Sequence, residues 1–260
     1  MQVKSLSFAR GMQWVGQGLA LLKRYPLVLF MCAFVYLFTL IFSSVVPLIG
    51  AVLPLVLSPI MSLGLTQIAR QADKPEVPRL SAMFEPFKAY KTLAFRHLLI
   101  LGGINAVVTL IALSFAGLFD DGMLMKLATG QVKPDDPSVQ GMSLLMPVFA
   151  FFAAYTPMQM ALWFSPLFIA WHQQSVMQSM FYSIAAVWRS RSAFLGYLIA
   201  WLGLSLAMAG LILVLNLLLG RSSIVAQYLV APVPIFLFSV FYCSFWFSYK
   251  DSIDETAERA

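Results

Sequence analysis

The sequence predicts an all-α polytopic membrane protein in which six transmembrane helices form three repeats of an interfacial helix plus a helical hairpin. Of its 260 residues, 60% are hydrophobic and only 11% are charged, whereas a soluble domain carries about 25% charged residues. Six apolar segments lack Asp, Glu, Lys, Arg and His, and each has about the 20 residues that a helix needs to cross a bilayer. Within a single membrane domain over 1–260, the spans lie near 27–46, 48–68, 98–119, 144–171, 194–219 and 224–249.

The segment 7–24, which precedes the first span, has the pattern of an interfacial amphipathic helix. Polar and cationic side chains, including Arg10, share one face, and apolar residues recur at helical spacing on the other. Such a helix lies in the plane of the membrane surface with its apolar side toward lipid. The apolar stripe consists of Phe8, Met12, Val15, Leu19 and Leu22.

Two later segments, in the loops 69–97 and 172–193, predict two further interfacial helices. Each loop precedes an odd-numbered span and carries an apolar stripe at helical spacing. The stripes are Leu80, Phe84, Phe87 and Tyr90 in the first loop, and Val176, Met180, Ile184 and Val187 in the second.

Proline separates the even spans from the odd ones. The interiors of the first, third and fifth spans contain no proline, so we predict regular helices there. The even spans are predicted to be kinked or broken, and residues 57–60 (LSPI) resemble residues 164–167 (FSPL). This alternation predicts the threefold repeat. The prolines of the even spans are Pro47, Pro54 and Pro59, then Pro147, Pro157 and Pro166, and finally Pro232 and Pro234.

The cations predict the orientation of the chain. If the N-terminus is cytoplasmic, fourteen of the seventeen Lys and Arg residues lie on the cytoplasmic side, and Lys126, Lys133 and Arg221 lie outside. The excess follows the positive-inside rule, so both termini are predicted to be cytoplasmic. Four tryptophans fall near the predicted interfaces, where an aromatic belt is expected: Trp14, Trp171, Trp188 and Trp246.

The connecting segments are predicted from polarity and length. The chain reverses in a few residues around Pro47 and again at 220–223, and residues 250–260 form a short acidic tail. The loop 120–142 is the only sizeable polar segment outside. Its paired aspartates at 120–121 and 135–136 lack the alternation of a calcium loop, so we interpret it as solvated.

Catalytic and metal-binding patterns are missing from the sequence. His97 and His172 lie at span ends without a carboxylate or second histidine at ligand spacing, and Cys32 and Cys243 lie inside apolar segments. No base stands at membrane depth to activate a serine. We therefore predict no catalytic residue, no metal site, no cofactor and no enzymatic activity.

Three polar residues at membrane depth, Asn105, Gln159 and Asn216, allow two interpretations. The first is structural: they face inward and bond to neighbouring helices, because an unsatisfied polar group in hydrocarbon costs several kcal/mol. The second is functional: they line a pathway or a lipid groove that the bent even spans expose. Backbone carbonyls that lose their N–H donor to a proline would be additional acceptors there.

The stretch WVGQGLALLKRYP at 14–26 resembles the opening of an uncharacterised family of proteobacterial six-span inner-membrane proteins. The stretch 164–194, with its Ser-Pro-Leu, Ser- and Ala-rich helix and basic end, resembles the same family. The chain is also distantly similar to the membrane domain found beside some glycerophosphodiester phosphodiesterases. The resemblance covers the whole chain in architecture, implies a bacterial inner-membrane location and transfers no catalytic residues.

Two classes of function remain open, and a membrane enzyme ranks below both. The first class is a non-enzymatic protein that binds lipid or organises partners in the inner membrane. The second class is a passive transporter or permease for a neutral or amphipathic solute. The expected partners are membrane lipids, together with a membrane-protein partner or further copies of the chain, and nucleic acid is not expected.

Overall fold

A computed structural model confirms the helical fold with six candidate membrane spans. It describes residues 2–47, 49–89, 91–133, 136, 139, 145–220 and 223–254, and twelve of the sixteen regular elements within these residues are α-helices. The helices are α1 (Phe8–Arg24), α2 (Pro26–Ser44), α3 (Leu53–Ala72), α4 (Glu85–Lys88), α5 (Leu93–Ala116), α6 (Met123–Ala128), α7 (Leu145–Leu162), α8 (Ser165–His172), α9 (Val176–Arg189), α10 (Arg191–Leu219), α11 (Ile224–Val230) and α12 (Val233–Ser252).

The odd spans α2, α5 and α10 are continuous helices, as predicted. The fourth span breaks between α7 and α8, and the sixth breaks between α11 and α12. The second span, α3, stays continuous with Pro59 inside it. Proline removes a backbone donor and clashes with the preceding turn, which accounts for breaks near Pro166 and Pro232. The threefold repeat itself stays a prediction.

The prediction of a very short connection at Pro47 was wrong. Eight residues separate α2 from α3, so the second span begins at Leu53 rather than near residue 48. Two successive turns reverse the chain: the Gly50 N–H donates to the Val46 carbonyl at 2.9 Å, and the Leu53 N–H donates to the Ile49 carbonyl at 2.8 Å. Pro47 stops the first helix, and the second begins only after both turns are complete.

The sixth span is longer than predicted. Helix α12 continues through residues 250–252, which we expected in a short acidic tail, and residues 255–260 lie outside the described part. Beyond α12, the strand β2 (Ile253–Asp254) pairs antiparallel with the strand β1 (Gln2–Val3). The Lys4 N–H extends this pairing by donating to the Ser252 carbonyl at 3.1 Å. The sequence patterns did not predict these two-residue strands.

The chain divides into two compact units. The first unit comprises Met1–Phe38, Met61–Lys88 and Ala185–Ala260, and the second comprises Thr39–Ile60 and Ala89–Ile184. The single membrane domain over 1–260 stays a prediction.

In the first unit, α1 packs closely against α10 and α12. A Cβ atom on Gly11 would collide with the carbonyl of Ala193 in α10, and one on Gly18 would lie 2.7 Å from the Ser244 nitrogen in α12. Glycine allows this approach because it has no side chain to separate the two helix backbones. Trp14, between these glycines, is fully buried.

The buried face of α1 therefore differs from the predicted apolar stripe. Val15 and Leu22 of that stripe are buried, but Phe8 and Met12 are exposed. Hydrophobicity marks only the apolar positions, whereas the buried face also includes Gly11 and Gly18, which let the neighbouring helices approach. The position of α1 in the membrane interface stays a prediction. The buried residues are Gly11, Trp14, Val15, Gly18, Leu21 and Leu22.

The second predicted interfacial helix is shorter than expected. A 3-10 turn over Leu80–Phe84 leads into the single-turn α4, with Ala82 and Met83 buried and Phe84 exposed. The Met83 carbonyl packs against Gly64 of α3. Pro86, which lacks a backbone donor, stands where the 3-10 turn ends. Tyr90 of the predicted stripe lies outside the described residues.

In the second unit, α5 packs against α7, α8 and the first half of α3. Gly102 lies against the Val56 carbonyl at a distance that no Cβ atom would permit. Thr92 caps α5 by accepting from the Phe95 N–H at 3.3 Å. The third span therefore begins at Leu93, five residues before the predicted start.

Helix α9 begins with a reciprocal cap. The Gln178 N–H donates to Ser175 Oγ at 3.4 Å, and the Ser175 N–H donates to Gln178 Oε1 at 3.3 Å. Ser179, Ser183 and Ala186 are fully buried on one face of the helix.

The predicted stripe of α9 is only partly correct. Val176 and Val187 of that stripe are buried, but Ile184 is exposed together with Met177, Phe181 and Trp188. Small side chains occupy the packed face because they permit close contact with the neighbouring helices.

We expect Gly18→Ala to destabilise the protein by about 1–3 kcal/mol, because the added methyl group overpacks the contact with Ser244. Gly16→Ala is the matched control in the same helix, since nothing lies within 4 Å of its Cβ position. That change should be neutral or stabilise by about 0.5–1 kcal/mol through helix propensity. Thermal unfolding in a mild detergent measures both variants. Equal unfolding temperatures would contradict the close contact of α1 with α12.

Candidate functional site

Asn105 joins α5 to the proline-containing part of α3. Pro59 has no N–H, so the carbonyl of Leu55 lacks its usual donor four residues later. Asn105 Nδ2 donates to that carbonyl at 3.0 Å and to Ser58 Oγ at 3.1 Å. Ser58 Oγ itself donates to the Leu55 carbonyl at 3.0 Å. The structural interpretation of Asn105 therefore agrees with its contacts.

Gln159 and Asn216 have more open surroundings. Both are half-buried, and within the described part of the chain neither side chain makes a hydrogen bond. The Asn216 carbonyl accepts from the Gly220 N–H at 3.0 Å at the end of α10. Gln159 belongs to the second unit with Asn105, and Asn216 belongs to the first. A pathway lined by all three residues stays a prediction.

Ser183 of α9 closes the break in the fourth span. Its hydroxyl donates to the Met160 carbonyl at 2.7 Å and accepts from the Phe164 N–H at 3.0 Å. Both backbone groups lose their helical partners where α7 ends and α8 begins, and hydrocarbon offers no replacement. Phe164, Ser165 and Ser183 are fully buried. One side chain thus supplies the donor and the acceptor that the break requires.

A carboxylate at the end of α12 holds α1 in place. Arg10 donates to Asp251 from Nε at 2.6 Å and from Nη2 at 2.9 Å, and Trp14 donates from Nε1 at 2.7 Å. The hydrogen bond with Asp251 raises the pKa of Arg10. Arg10, which we placed on the polar face of an interfacial helix, is thus half-buried in an ion pair. We call Arg10, Trp14 and Asp251 the N-terminal clamp.

Aromatic packing surrounds the N-terminal clamp. The Trp14 ring meets Phe194 and Tyr197 edge-on, with ring centroids 5.6 and 5.5 Å away. The Tyr197 hydroxyl lies 2.7 Å from Ser244 Oγ, which joins α10 to α12 beside the same ring. Trp14 is therefore part of the protein core and not of an aromatic belt, which corrects the prediction for this residue.

A second clamp of the same chemistry joins the last turns of α12 to Asp73, which follows α3. Asp73 Oδ2 accepts from Lys250 Nζ at 2.7 Å and from Trp246 Nε1 at 3.2 Å. The Arg70 guanidinium lies over the Trp246 ring, 5.9 Å from its centroid. Trp246 is also buried, so its assignment to the belt was wrong. In each clamp, an indole and a cation four residues apart on one helix bind one carboxylate.

Two arginines flank Ser190, where α9 meets α10. Ser190 is fully buried and donates from Oγ to the Lys4 carbonyl at 2.8 Å. Arg189 and Arg191 are exposed, and the Arg191 guanidinium lies 5.7 Å from the centroid of the Trp188 ring. Trp188 has 61% of its surface exposed, in contrast to Trp14 and Trp246. We call this region the Ser190 junction.

The first unit carries most of the positive charge. Among its described residues are eleven Lys and Arg residues against five Asp and Glu residues. Two of those carboxylates, Asp73 and Asp251, already lie in the clamps. The surface of this unit is therefore strongly cationic, which favours contact with anionic headgroups.

The residues with catalytic or metal-binding potential stay apart. Among the described residues, no group of three or more His, Cys, Asp or Glu side chains is placed to hold a metal ion. Asp120 is buried and accepts from the N–H groups of Gly122 at 3.0 Å and Leu124 at 2.6 Å, so it organises the start of α6. Asp120 was expected in a solvated loop, and its backbone bonds explain the difference. Asp135 lies outside the described residues.

The sequence patterns did not predict either of the two clamps. Their local signal is a tryptophan four residues from a cation, at 10–14 and at 246–250, which places both on one helix face. The carboxylate partners lie 241 and 177 residues away from those cations. No local pattern identifies such distant partners.

One comparison with known proteins identifies a relative. The chain is 31% identical over 256 residues to a Burkholderia thailandensis protein whose name is "Probable inner membrane protein". The match covers 96% of this chain and 93% of the relative. No protein-family model matches the chain, and no solved structure does.

We expect Asp251→Asn to destabilise the protein by about 1–3 kcal/mol, because Arg10 and Trp14 lose a charged acceptor. Asp73→Asn should cost less than about 1 kcal/mol, because the Lys250 side chain is 52% exposed, whereas that of Arg10 is 37% exposed. Thermal unfolding in detergent compares the two isosteric changes. A larger loss for Asp73→Asn would contradict the dominance of the N-terminal clamp.

We expect Ser183→Ala to destabilise the protein by about 2–3 kcal/mol, because the Phe164 N–H and the Met160 carbonyl both lose their partner. Ser179→Ala is the control: Ser179 is equally buried, but its hydroxyl donates only to the Val176 carbonyl of its own helix. It should cost less than about 1 kcal/mol. Chemical denaturation in detergent measures the difference, and similar losses would show that Ser183 does not stabilise the break.

Proposed function

The chain belongs to the family of the Burkholderia thailandensis inner membrane protein, and we propose that it has a non-enzymatic role in binding lipid or organising the inner membrane. The protein is a multi-pass inner-membrane protein with six apolar spans. The proposal adds that both termini are cytoplasmic and that membrane lipids are its principal ligands. The distant similarity to the membrane domain beside glycerophosphodiester phosphodiesterases carries no part of it.

The observation that carries the proposal is the distribution of charge. The six charge-free segments contain no Asp, Glu, Lys, Arg or His, whereas proton relays and ion-coupled transporters need ionisable groups at membrane depth. The cations lie outside these segments instead, and eleven of those that the structure describes belong to the first unit. Cations around apolar spans match the anionic headgroups and the acyl chains of phospholipids.

The contacts of polar side chains support the same role. Asn105 and Ser183 satisfy backbone groups at Pro59 and at the break in the fourth span. Asp73 and Asp251 bind tryptophans and cations. These polar groups serve the packing of helices, which suits a protein that acts through its surface.

Native mass spectrometry of the protein, released from membranes in a mild detergent, tests the proposal. We expect specific lipid adducts or a partner subunit that survive mild activation and are removed by stronger activation. An unrelated six-span protein prepared in the same detergent controls for bulk lipid carry-over. A bare particle without lipid or partner would contradict the lipid-binding and organising role.

A passive transporter or permease for a neutral or amphipathic solute is the second candidate. The observation that favours it is the interruption of the fourth and sixth spans, because broken helices at membrane depth frame substrate sites in many transporters. Gln159 and Asn216 are half-buried and make no described side-chain hydrogen bond, so each is available to a site within its own unit.

Solute flux into reconstituted vesicles separates the two candidates. If the protein is a permease, Asn216→Leu should reduce flux without changing the unfolding temperature. Asn105→Leu should reduce both, because Asn105 bonds to α3. Vesicles without protein set the background. Flux that is insensitive to Asn216→Leu and to Asn105→Leu would exclude these residues from a solute pathway.

A further inference from the structure

We propose that the Ser190 junction binds the headgroup of an anionic phospholipid, with Arg189 and Arg191 holding its phosphate and Trp188 lying at the depth of its glycerol. This inference rests on the proposed lipid-binding role and names its ligand class and site. The acyl chains lie along α10, which begins at Arg191. The site lies entirely in the first unit.

Within the described part of the chain, no ion pair neutralises the charge at the junction. Arg189 and Arg191 are exposed, and neither forms an ion pair with a described residue. The sequence has no Asp or Glu between Asp136 and Asp251, so no acidic side chain accompanies the arginines along this part of the chain. Two guanidinium groups separated by one residue offer fork-shaped donors that match the oxygens of a phosphate.

The fold builds the junction from distant segments. Ser190 is fully buried and donates to the Lys4 carbonyl at 2.8 Å, which fixes the start of α10 against the N-terminal segment. Gly196, six residues further along, packs against the backbone of Phe8. These contacts hold the backbone between the two arginines in one position while their side chains remain exposed. Two arginines on a fixed backbone lose less conformational entropy on binding than two arginines on a mobile loop.

An apolar track continues from the cationic end. Leu195, Leu198 and Leu202 follow Arg191 at helical spacing on one face of α10, and all three are exposed. Trp188, with Arg191 over its ring, is also exposed, and tryptophan prefers the boundary between headgroups and hydrocarbon. A phospholipid presents a negative headgroup followed by apolar chains in the same order. An acidic protein segment would match the arginines but would not cover the leucines.

Lipid binding by the full-length protein in detergent, followed by native mass spectrometry, tests the site. The ligands are dioleoyl phosphatidylglycerol, dioleoyl phosphatidylcholine with the same chains, and glycerol 3-phosphate as a headgroup without chains. We expect wild type to prefer phosphatidylglycerol and to bind glycerol 3-phosphate at least tenfold more weakly. R189Q/R191Q should weaken phosphatidylglycerol binding by about fivefold for each charge, or about 25-fold, with little change for phosphatidylcholine.

Two further variants control for net charge and for folding. K74Q/R79Q removes two exposed cations elsewhere in the first unit and should bind phosphatidylglycerol like wild type. R189K/R191K keeps the charge and should retain most of the binding, and the unfolding temperature of every variant is measured alongside. The site would be overturned if R189Q/R191Q bound phosphatidylglycerol as tightly as wild type does. It would also be overturned if K74Q/R79Q lost as much phosphatidylglycerol binding as R189Q/R191Q.

The outcomes separate this inference from the proposed function. Lipid retained by wild type but unaffected by R189Q/R191Q overturns the site and leaves the lipid-binding role standing. Wild type that retains no lipid at all overturns both. An acidic protein that co-purifies in place of phosphatidylglycerol, and is lost in R189Q/R191Q, overturns the lipid assignment because the junction would then be a protein-binding surface.

Discussion

The packing of the first unit depends on the contacts of the Asp251 carboxylate with Arg10 and Trp14. The carboxylate receives donors from Arg10 and Trp14 at 2.6–2.9 Å, and thereby fixes the end of the sixth span to the first helix of the chain. The glycines of α1 make this possible, because Gly11 and Gly18 let α1 approach α10 and α12 backbone to backbone. The short β1–β2 pairing and the bond from Ser190 to Lys4 then hold the N-terminal segment beside the start of α10. A helix that the sequence places at the membrane surface is thus a structural part of the unit, and the surface left exposed around it is cationic.

The interior of the bilayer imposes a second constraint, because unsatisfied backbone groups are costly where water is absent. At Pro59 the free Leu55 carbonyl accepts from Asn105, and at the break in the fourth span Ser183 serves both Met160 and Phe164. Asn105 and Ser183 thereby acquire a structural explanation that requires no substrate. This is why the proposed function places the ligand at the surface, where the charges of the first unit lie.

Each of the three amphipathic segments contacts an even-numbered span. Gly18 of α1 packs against Ser244 in the sixth span, Met83 before α4 packs against Gly64 in the second, and Ser183 of α9 bonds across the break in the fourth. Each segment therefore contacts an even, proline-containing span, and each contact uses a small residue. The chemistry differs among the three, since only α1 carries a clamp with an indole and a guanidinium. The threefold repeat itself stays a prediction.

The sequence by itself determined the six spans, the regular odd helices and the interrupted fourth and sixth spans, because hydrophobicity and proline act locally on the chain. Hydrophobic periodicity was less informative about which face of a helix is buried. The packed faces include two glycines in α1 and two serines and an alanine in α9, because in lipid an apolar side chain gains little by leaving the hydrocarbon. Only the tertiary structure decided the partners of Arg10, Trp14, Trp246 and Lys250, and only it brought Lys4 to Ser190. Those choices depend on groups 173 to 241 residues apart, and such long-range pairing leaves no trace in local composition or spacing.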